Sequence, residues 1–234
     1  MHLTNIRIYP EKFPTREQYP FNLPIFQETQ AVELKTPVTF FSGENGTGKS
    51  TLLYAIAKKC RIPIWQEMRF QKSKYAEEFY RYIEVDWADQ PVPGSFFASD
   101  IFEYYAHTLD DFASADPEML KYYGGESLVT KSHGQCNMSY FKSRYQLRGL
   151  YLLDEPETAL SPKKQLELLK ILNEVSQAGH AQFIIVSHSP ILLALPGASI
   201  YSFDFIPVRE IKYEETDYYR IYRDFLNNRG KYIR

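Results

Sequence analysis

A chain of 234 residues, 44% apolar and 16% aromatic, is long enough to bury one sizeable core. Its formal net charge of -2 supplies no general basic field, which argues against a surface that coats nucleic acid indiscriminately. No apolar run approaches the roughly 20 residues that cross a bilayer, and the amino terminus lacks the basic-then-apolar pattern of a signal peptide, so a soluble cytoplasmic protein is expected.

Leu3 to Ile8 and Val38 to Phe41 read as strands, the second running into the glycine cluster Gly43, Gly46, Gly48. Leu52, Leu53, Ile56, Ala57 and Cys60 then recur at helical spacing, so the order is strand, glycine loop, helix. Cys60 and Cys136 are isolated, without CxxC or Cys/His spacing, and read as ordinary reduced thiols. Further on, a strand is expected from Tyr82 to Trp87, a turn at Pro91, Pro93 and Gly94, a helix from Asp100 to Phe112, and a second short helix after Asp116-Pro117.

The regular pattern returns at Leu150 to Leu153, a continuous apolar run suited to a strand buried on both faces. Ser161-Pro162 is a helix start, with Leu168, Ile171, Leu172 and Val175 as its buried face and Gly179 as its stop. Phe183 to Val186 and Ile200 to Phe203 are further strands, and a polar, tyrosine-rich helix from about Thr216 to Asn227 closes the chain. Alternating strands and helices predict an α/β fold with a mostly parallel sheet, whose binding sites lie at the carboxyl ends of the strands. One domain over residues 1–234 is expected, with a mainly helical lobe inserted at about residues 95–148.

Gly43-Glu44-Asn45-Gly46-Thr47-Gly48-Lys49-Ser50, followed by Thr51, fits the GxxxxGK[ST] phosphate loop in its required strand-to-helix context. Glycines let successive N–H groups turn inward around an anion, and the following helix presents its positive dipole end to the same phosphates. Lys49 is expected to neutralise the β- and γ-phosphates and Ser50 to ligate Mg²⁺. The strand Leu150 to Leu153 ends in Asp154-Glu155, which brings two carboxylates to the same sheet edge. Asp154 is assigned to Mg²⁺ and Glu155 to general-base attack by water. His188, directly after strand Phe183 to Val186, is assigned to sensing the γ-phosphate.

These elements, in this order, resemble the ABC-class ATPases: the phosphate loop, Leu152-Leu153-Asp154-Glu155-Pro156, and a switch histidine at His188. The resemblance implies a P-loop ATPase fold, with an antiparallel β portion beside the parallel sheet. It also implies a signature segment, for which Ser132-His133-Gly134-Gln135 stands in the right place. Transporter subunits usually carry Leu-Ser-Gly-Gly-Gln there, whereas this chain has Lys131 and His133 at two of those positions. Ser132 can cap the helix that follows and offer its hydroxyl to the γ-phosphate of an opposite subunit, while His133 either adds a donor or is merely solvated.

The run Glu157-Thr158-Ala159-Leu160-Ser161-Pro162 and the Ser-His-Ser-Pro around His188 resemble the non-transporter branch of recombination, repair and phage-defence ATPases. Together with Tyr19 to Pro24, they resemble most closely a family of small stand-alone bacterial ATPases of the ABC class. What this implies is Mg²⁺-dependent hydrolysis of ATP, head-to-tail homodimerisation on ATP, and action on a protein or nucleic-acid partner. The alternatives are the motor subunit of a membrane transporter, against which both motifs lean, and a small-molecule phosphotransferase, which leaves Ser132 to Gln135 and His188 unexplained. The junction at Phe96 to Asp100 offers Asp100 or Glu103 as a further Mg²⁺-side residue, or simply a capped helix start. Tyr19 and Phe21 are candidates for stacking on adenine. Arg220, Arg223, Arg229, Lys231 and Arg234 give the carboxyl end a modest basic excess, read as a solvated helix face.

Overall fold

The computed structural model describes residues 1–64, 74–99 and 133–233. Nine strands are described: β1 (Leu3–Ile8), β2 (Ala31–Glu33), β3 (Val38–Ser42), β4 (Ile83–Trp87), β5 (Gly94–Ala98), β6 (Gly149–Asp154), β7 (Ala181–Val186), β8 (Ser199–Ser202) and β9 (Arg209–Ile211). Seven α-helices accompany them: α1 (Pro24–Glu28), α2 (Lys49–Lys59), α3 (Lys74–Glu78), α4 (His133–Arg144), α5 (Pro162–Gln177), α6 (Pro190–Leu193) and α7 (Asp217–Asn227).

The strands form two sheets. A six-stranded sheet runs β5-β6-β7-β3-β8-β9, parallel except for the β8/β9 pair, and a three-stranded antiparallel sheet runs β2-β1-β4. Gln182, fully buried on β7, joins them: its side-chain oxygen accepts from the backbone N–H groups of His2 and Leu3, each at 2.7 Å, and its amide donates to the Leu3 carbonyl at 2.9 Å.

The side-chain period of two along each strand divides the core between the faces of the large sheet. Phe41, Leu150, Leu152, Ile184 and Val186 pack with Leu52, Leu53 and Ile56 of α2 on one face. Phe40, Tyr151, Leu153, Phe183 and Ile185 pack with Phe141 of α4 and with Leu168 and Leu172 of α5 on the other. Each fully buried Leu or Ile contributes about 1.5–3 kcal/mol relative to exposure, so both helices are held mainly by these apolar stripes. Cys60 packs against the first cluster and Cys136 lies in the second, so the two thiols do not meet, and burial pushes the Cys60 thiol up to about 12.

The expected helix boundaries have identifiable causes. Ser161 caps α5 by accepting from the Lys164 N–H, Pro162 occupies the first turn, and Gly179 takes a φ of +75° just beyond the end. Thr216 likewise caps α7 by accepting from the Tyr219 N–H. After the turn expected at Pro91, Pro93 and Gly94, where no strand was expected, the chain forms β5, whose Phe96 and Phe97 lie level with Leu152 and Leu153 in a parallel edge pairing. The helices expected at 100–112 and after Asp116, and most of the expected lobe, lie outside the described residues. Among the described residues, no helix is long and apolar enough to cross a membrane.

Candidate functional site

Strand ends build the site. β6 and β3 flank β7, and Asp154 and Phe41 both lie level with Val186 in the two parallel pairings. β8 lies on the other side of β3, with Ser202 level with Ser42. The segments that follow these strands, carrying Asp154-Glu155, Ser187-His188, the glycine loop and Asp204, therefore leave the sheet at one edge.

The loop Gly43 to Gly48 passes from β3 into α2. Gly43, Gly46 and Gly48 all have positive φ, and Glu44, Asn45 and Gly46 form an exposed rim. The Glu44 N–H donates to Asp204 Oδ1 at 2.7 Å, and a Cβ on Gly43 would lie 2.9 Å from the same oxygen. Thr47 donates its hydroxyl hydrogen to the Glu44 carbonyl at 2.9 Å. Lys49 is buried, and its ammonium donates to the carbonyls of Gly43 and Glu44, each at 2.6 Å. Burial pulls the Lys49 pKa below its ordinary value, opposed by the carboxylates of Asp204, Glu155, Asp154 and Glu44.

The loop rests on the segment that precedes it. A Cβ on Gly48 would lie 2.8 Å from Phe26 Cζ, and the Thr51 hydroxyl is hydrogen-bonded to that of Tyr19. Phe21 is fully buried among Phe13, Phe79 and Tyr82, which removes it as an adenine-stacking candidate; Tyr19 is partly exposed beside α2.

Ser50 donates its hydroxyl hydrogen to Asp154 Oδ1 at 2.8 Å, and Asp154 is buried. Glu155 has a φ of +48°, unusual for a residue with a Cβ. Its backbone is pinned on both sides: its N–H donates to the Val186 carbonyl at 3.0 Å, and its carbonyl accepts from the Ser99 hydroxyl at 3.0 Å. This holds its half-exposed carboxylate 3.3 Å from His188 Nε2. Three groups donate to a single oxygen of Glu157: the Ser187 hydroxyl at 2.9 Å, the His188 N–H at 2.5 Å and the Ser189 N–H at 3.1 Å. Burial raises the Glu157 pKa against those donors.

The signature segment is described only from His133, where α4 begins; Ser132 lies outside the described residues, as do Asp100 and Glu103. Gly134 packs tightly, since a Cβ there would lie 3.1 Å from the Ala159 carbonyl oxygen, and Gln135 is exposed. α4 and α2 occupy opposite faces of the large sheet. The structure thus brings together the loop residues, Ser50, Asp154, Glu155 and His188, and leaves Gly134 and Gln135 on another face. Asp204 and Tyr218 join the site without having been marked by any motif, although Asp204 follows a parallel strand end; Glu157 and Ser99 join it from the run after Glu155 and from the junction at Phe96 to Asp100, where neither was given a role.

Two family models match the chain: one described as "AAA domain" over residues 2–57, and one described as "AAA domain, putative AbiEii toxin, Type IV TA system" over residues 138–194. The solved structure of cbiO1 from Clostridium perfringens, part of the ABC transporter complex cbiONQ, matches with a TM-score of 0.53 at 16% identity, over 97% of this chain and 96% of that one. The fold is that of an ABC-type ATPase domain. The SMC head domain from Thermotoga maritima is also similar, with a TM-score of 0.49 at 13% identity over 91% of this chain and 99% of that one. No curated protein matches the chain. At these identities the likeness to cbiO1 carries the fold and not the role.

Proposed function

We propose that this ATPase domain binds ATP with Mg²⁺ at Gly43 to Thr51, hydrolyses it, and closes head-to-tail on a second copy while the triphosphate is intact. The observation that carries the reading is the convergence at one sheet edge of a buried lysine inside a glycine loop, the Ser50–Asp154 pair and the Glu155–His188 pair.

Each residue has a task that its surroundings support. The Lys49 ammonium, now held by two carbonyls of its own loop, can turn to the β- and γ-phosphates when they arrive. Ser50 and Asp154 offer hard oxygen donors, the type that Mg²⁺ takes in company with phosphate oxygens and waters. Among the described residues, no group of three His, Cys, Asp or Glu side chains could hold a metal alone, in keeping with a cation that arrives with the nucleotide. Bound Mg²⁺ supplies charge neutralisation at the phosphates. Glu155 takes the proton of the attacking water, and His188 donates toward the γ-phosphate.

The opposite-face arrangement of α2 and α4 supports closure by two copies. A residue beside Gly134 serves a phosphate loop more directly in a second copy than in its own. The partner on which closure acts is a protein or a nucleic acid.

Glu155→Gln tests the reading by light scattering and phosphate release. Expected are a monomer without nucleotide, a dimer with MgATP, and turnover reduced by about 10²- to 10⁴-fold. A variant that binds MgATP yet stays monomeric at high concentration would refute the closure.

A further inference from the structure

We infer that Asp204 and Tyr218 are positioning residues that hold the two ends of one peptide group, Gly43–Glu44, so that the phosphate loop keeps its shape when Lys49 turns from the loop to an incoming phosphate. The inference rests on the proposed binding of ATP at this loop and names what prepares the loop for it.

The peptide joining Gly43 to Glu44 opens the loop, and side chains remote in sequence hold both of its polar groups. At one end, the Glu44 N–H donates to Asp204 Oδ1 at 2.7 Å. At the other, the Gly43 carbonyl accepts from the Tyr218 hydroxyl at 3.0 Å and from the Lys49 ammonium at 2.6 Å. Both anchors are themselves fixed. Asp204 follows β8, where the Phe203 N–H donates to the Ser42 carbonyl at 2.8 Å and the Asp204 N–H donates to Ser202 Oγ at 3.2 Å. Tyr218 is the second residue of α7, whose start is set by the buried cap Thr216, and its hydroxyl oxygen is also hydrogen-bonded to His188 Nδ1. Burial, then the carboxylates of Glu44, Asp204, Glu155 and Glu157, raise the Tyr218 pKa above its ordinary value, so the phenol keeps the proton that it donates.

One donor to the Gly43 carbonyl is due to leave. That oxygen has two lone pairs, taken here by Lys49 and Tyr218. When Lys49 moves to the β- and γ-phosphates, a buried carbonyl without a second donor would turn to find one. Because the peptide is planar, the Glu44 N–H would swing with it. Tyr218 keeps the carbonyl satisfied, and Asp204 resists the same rotation from the other end. Glu44, Asn45 and Gly46 are exposed, so packing does little to hold this rim, and a loop already in shape binds without the cost of being ordered.

Two measurements test the clamp. The first is amide hydrogen exchange in the nucleotide-free protein, followed in ¹H–¹⁵N correlation spectra. Glu44 is exposed, yet its amide should exchange at least about tenfold more slowly in the parent protein than in Asp204→Ala, with the amides of α5 unchanged. A parent Glu44 amide that exchanges as fast as an unfolded one overturns the inference whether or not the variant folds, and so do equal rates in the two proteins.

The second is ATP affinity in chelator by calorimetry, where nothing turns over. Asp204→Ala and Tyr218→Phe, each with an unchanged circular-dichroism spectrum, should bind at least about fivefold more weakly than the parent protein. Asp204→Asn keeps an acceptor oxygen and should bind as tightly as the parent or more so. Tyr219→Phe removes a hydroxyl on the same helix that bonds to Arg223 instead of the loop, and should stay within about twofold. Undiminished binding by Asp204→Ala or by Tyr218→Phe overturns the inference. So does a loss in Asp204→Asn equal to that in Asp204→Ala, or a loss in Tyr219→Phe equal to that in Tyr218→Phe. A parent protein that binds no ATP refutes the proposed function, while a slow Glu44 amide that Asp204→Ala releases still supports the clamp.

Discussion

Ser50 and Asp154, 104 residues apart, are joined by a 2.8 Å hydrogen bond between the first turn of α2 and the end of β6. On the proposed reading both oxygens would hold Mg²⁺, and this hydrogen bond would open as the Ser50 hydroxyl turned a lone pair to the cation and its hydrogen elsewhere. Asp154→Asn keeps the size and the hydrogen-bond acceptor but removes the charge. It is expected to raise the Mg²⁺ concentration for half-maximal phosphate release at least about tenfold, with nucleotide binding in chelator retained. An unchanged Mg²⁺ requirement would remove Asp154 from the metal site.

Gly48 and Gly46 separate backbone strain from steric contact. Both have positive φ, +102° and +84°, but a Cβ on Gly48 would lie 2.8 Å from Phe26 Cζ and 3.1 Å from Leu23 Cδ1, whereas one on Gly46 meets nothing among the described residues within 4 Å. Gly46→Ala should cost about 1 kcal/mol in urea unfolding, the strain alone, and Gly48→Ala about 2–3 kcal/mol together with ATP affinity. Equal midpoints for the two variants would mean that the segment carrying Leu23 and Phe26 does not buttress the loop.

What could be read in the sequence followed from how locally each feature is encoded. β3, β6 and β7 are central, so burial on both faces leaves continuous apolar runs, and the glycine loop is defined by eight neighbouring residues. β5 escaped because it opens on Gly94 behind two prolines and pairs with a single neighbour, β6. β2 and β9, of three residues each, are too short for any periodicity to register. In the candidate site, Asp154, Glu155 and His188 could be singled out because each lies at or within two residues of the end of an apolar strand. Asp204 and Tyr218 act on the loop across 160 and 175 residues, and nothing in their neighbours records that contact.

Glu157 holds the loop Ser187 to Ser189 through one oxygen that accepts from all three residues, while its other oxygen is buried without a hydrogen-bond partner among the described residues. Glu157→Ala strands three donors, so a loss of about 1–3 kcal/mol in stability is expected, with kcat falling as His188 loses its backbone anchor. Glu157→Gln retains an acceptor oxygen and should recover most of the kcat. If alanine and glutamine behave alike in kcat, the loop is held by something else, such as the hydrogen bond from Ser189 Oγ to Gln165.

Glu167 ties α5 to α4 and tests that tie through pH. Its carboxylate meets the ammonium of Lys142 on α4 at 2.6 Å and that of Lys164 on its own helix at 2.7 Å. Lys142 first, then Lys164, hold its pKa at about 2 against an ordinary 4.5. Because the folded value is the lower one, the unfolded chain binds the extra proton. The stabilisation is therefore complete well above 4.5, shrinks as the pH falls through 4.5, and is gone near 2. The side chain is 31% exposed, so solvent screening limits the contribution to about 0.5–1 kcal/mol. Glu167→Gln should lower the urea midpoint by a constant amount between pH 6 and 8, and by a shrinking amount as the pH falls from about 4.5 toward 3. High salt should shrink the difference at neutral pH in the same way. A difference that grows on acidification would mean that the carboxylate is destabilised by its surroundings, and that α4 is held against α5 by apolar packing alone.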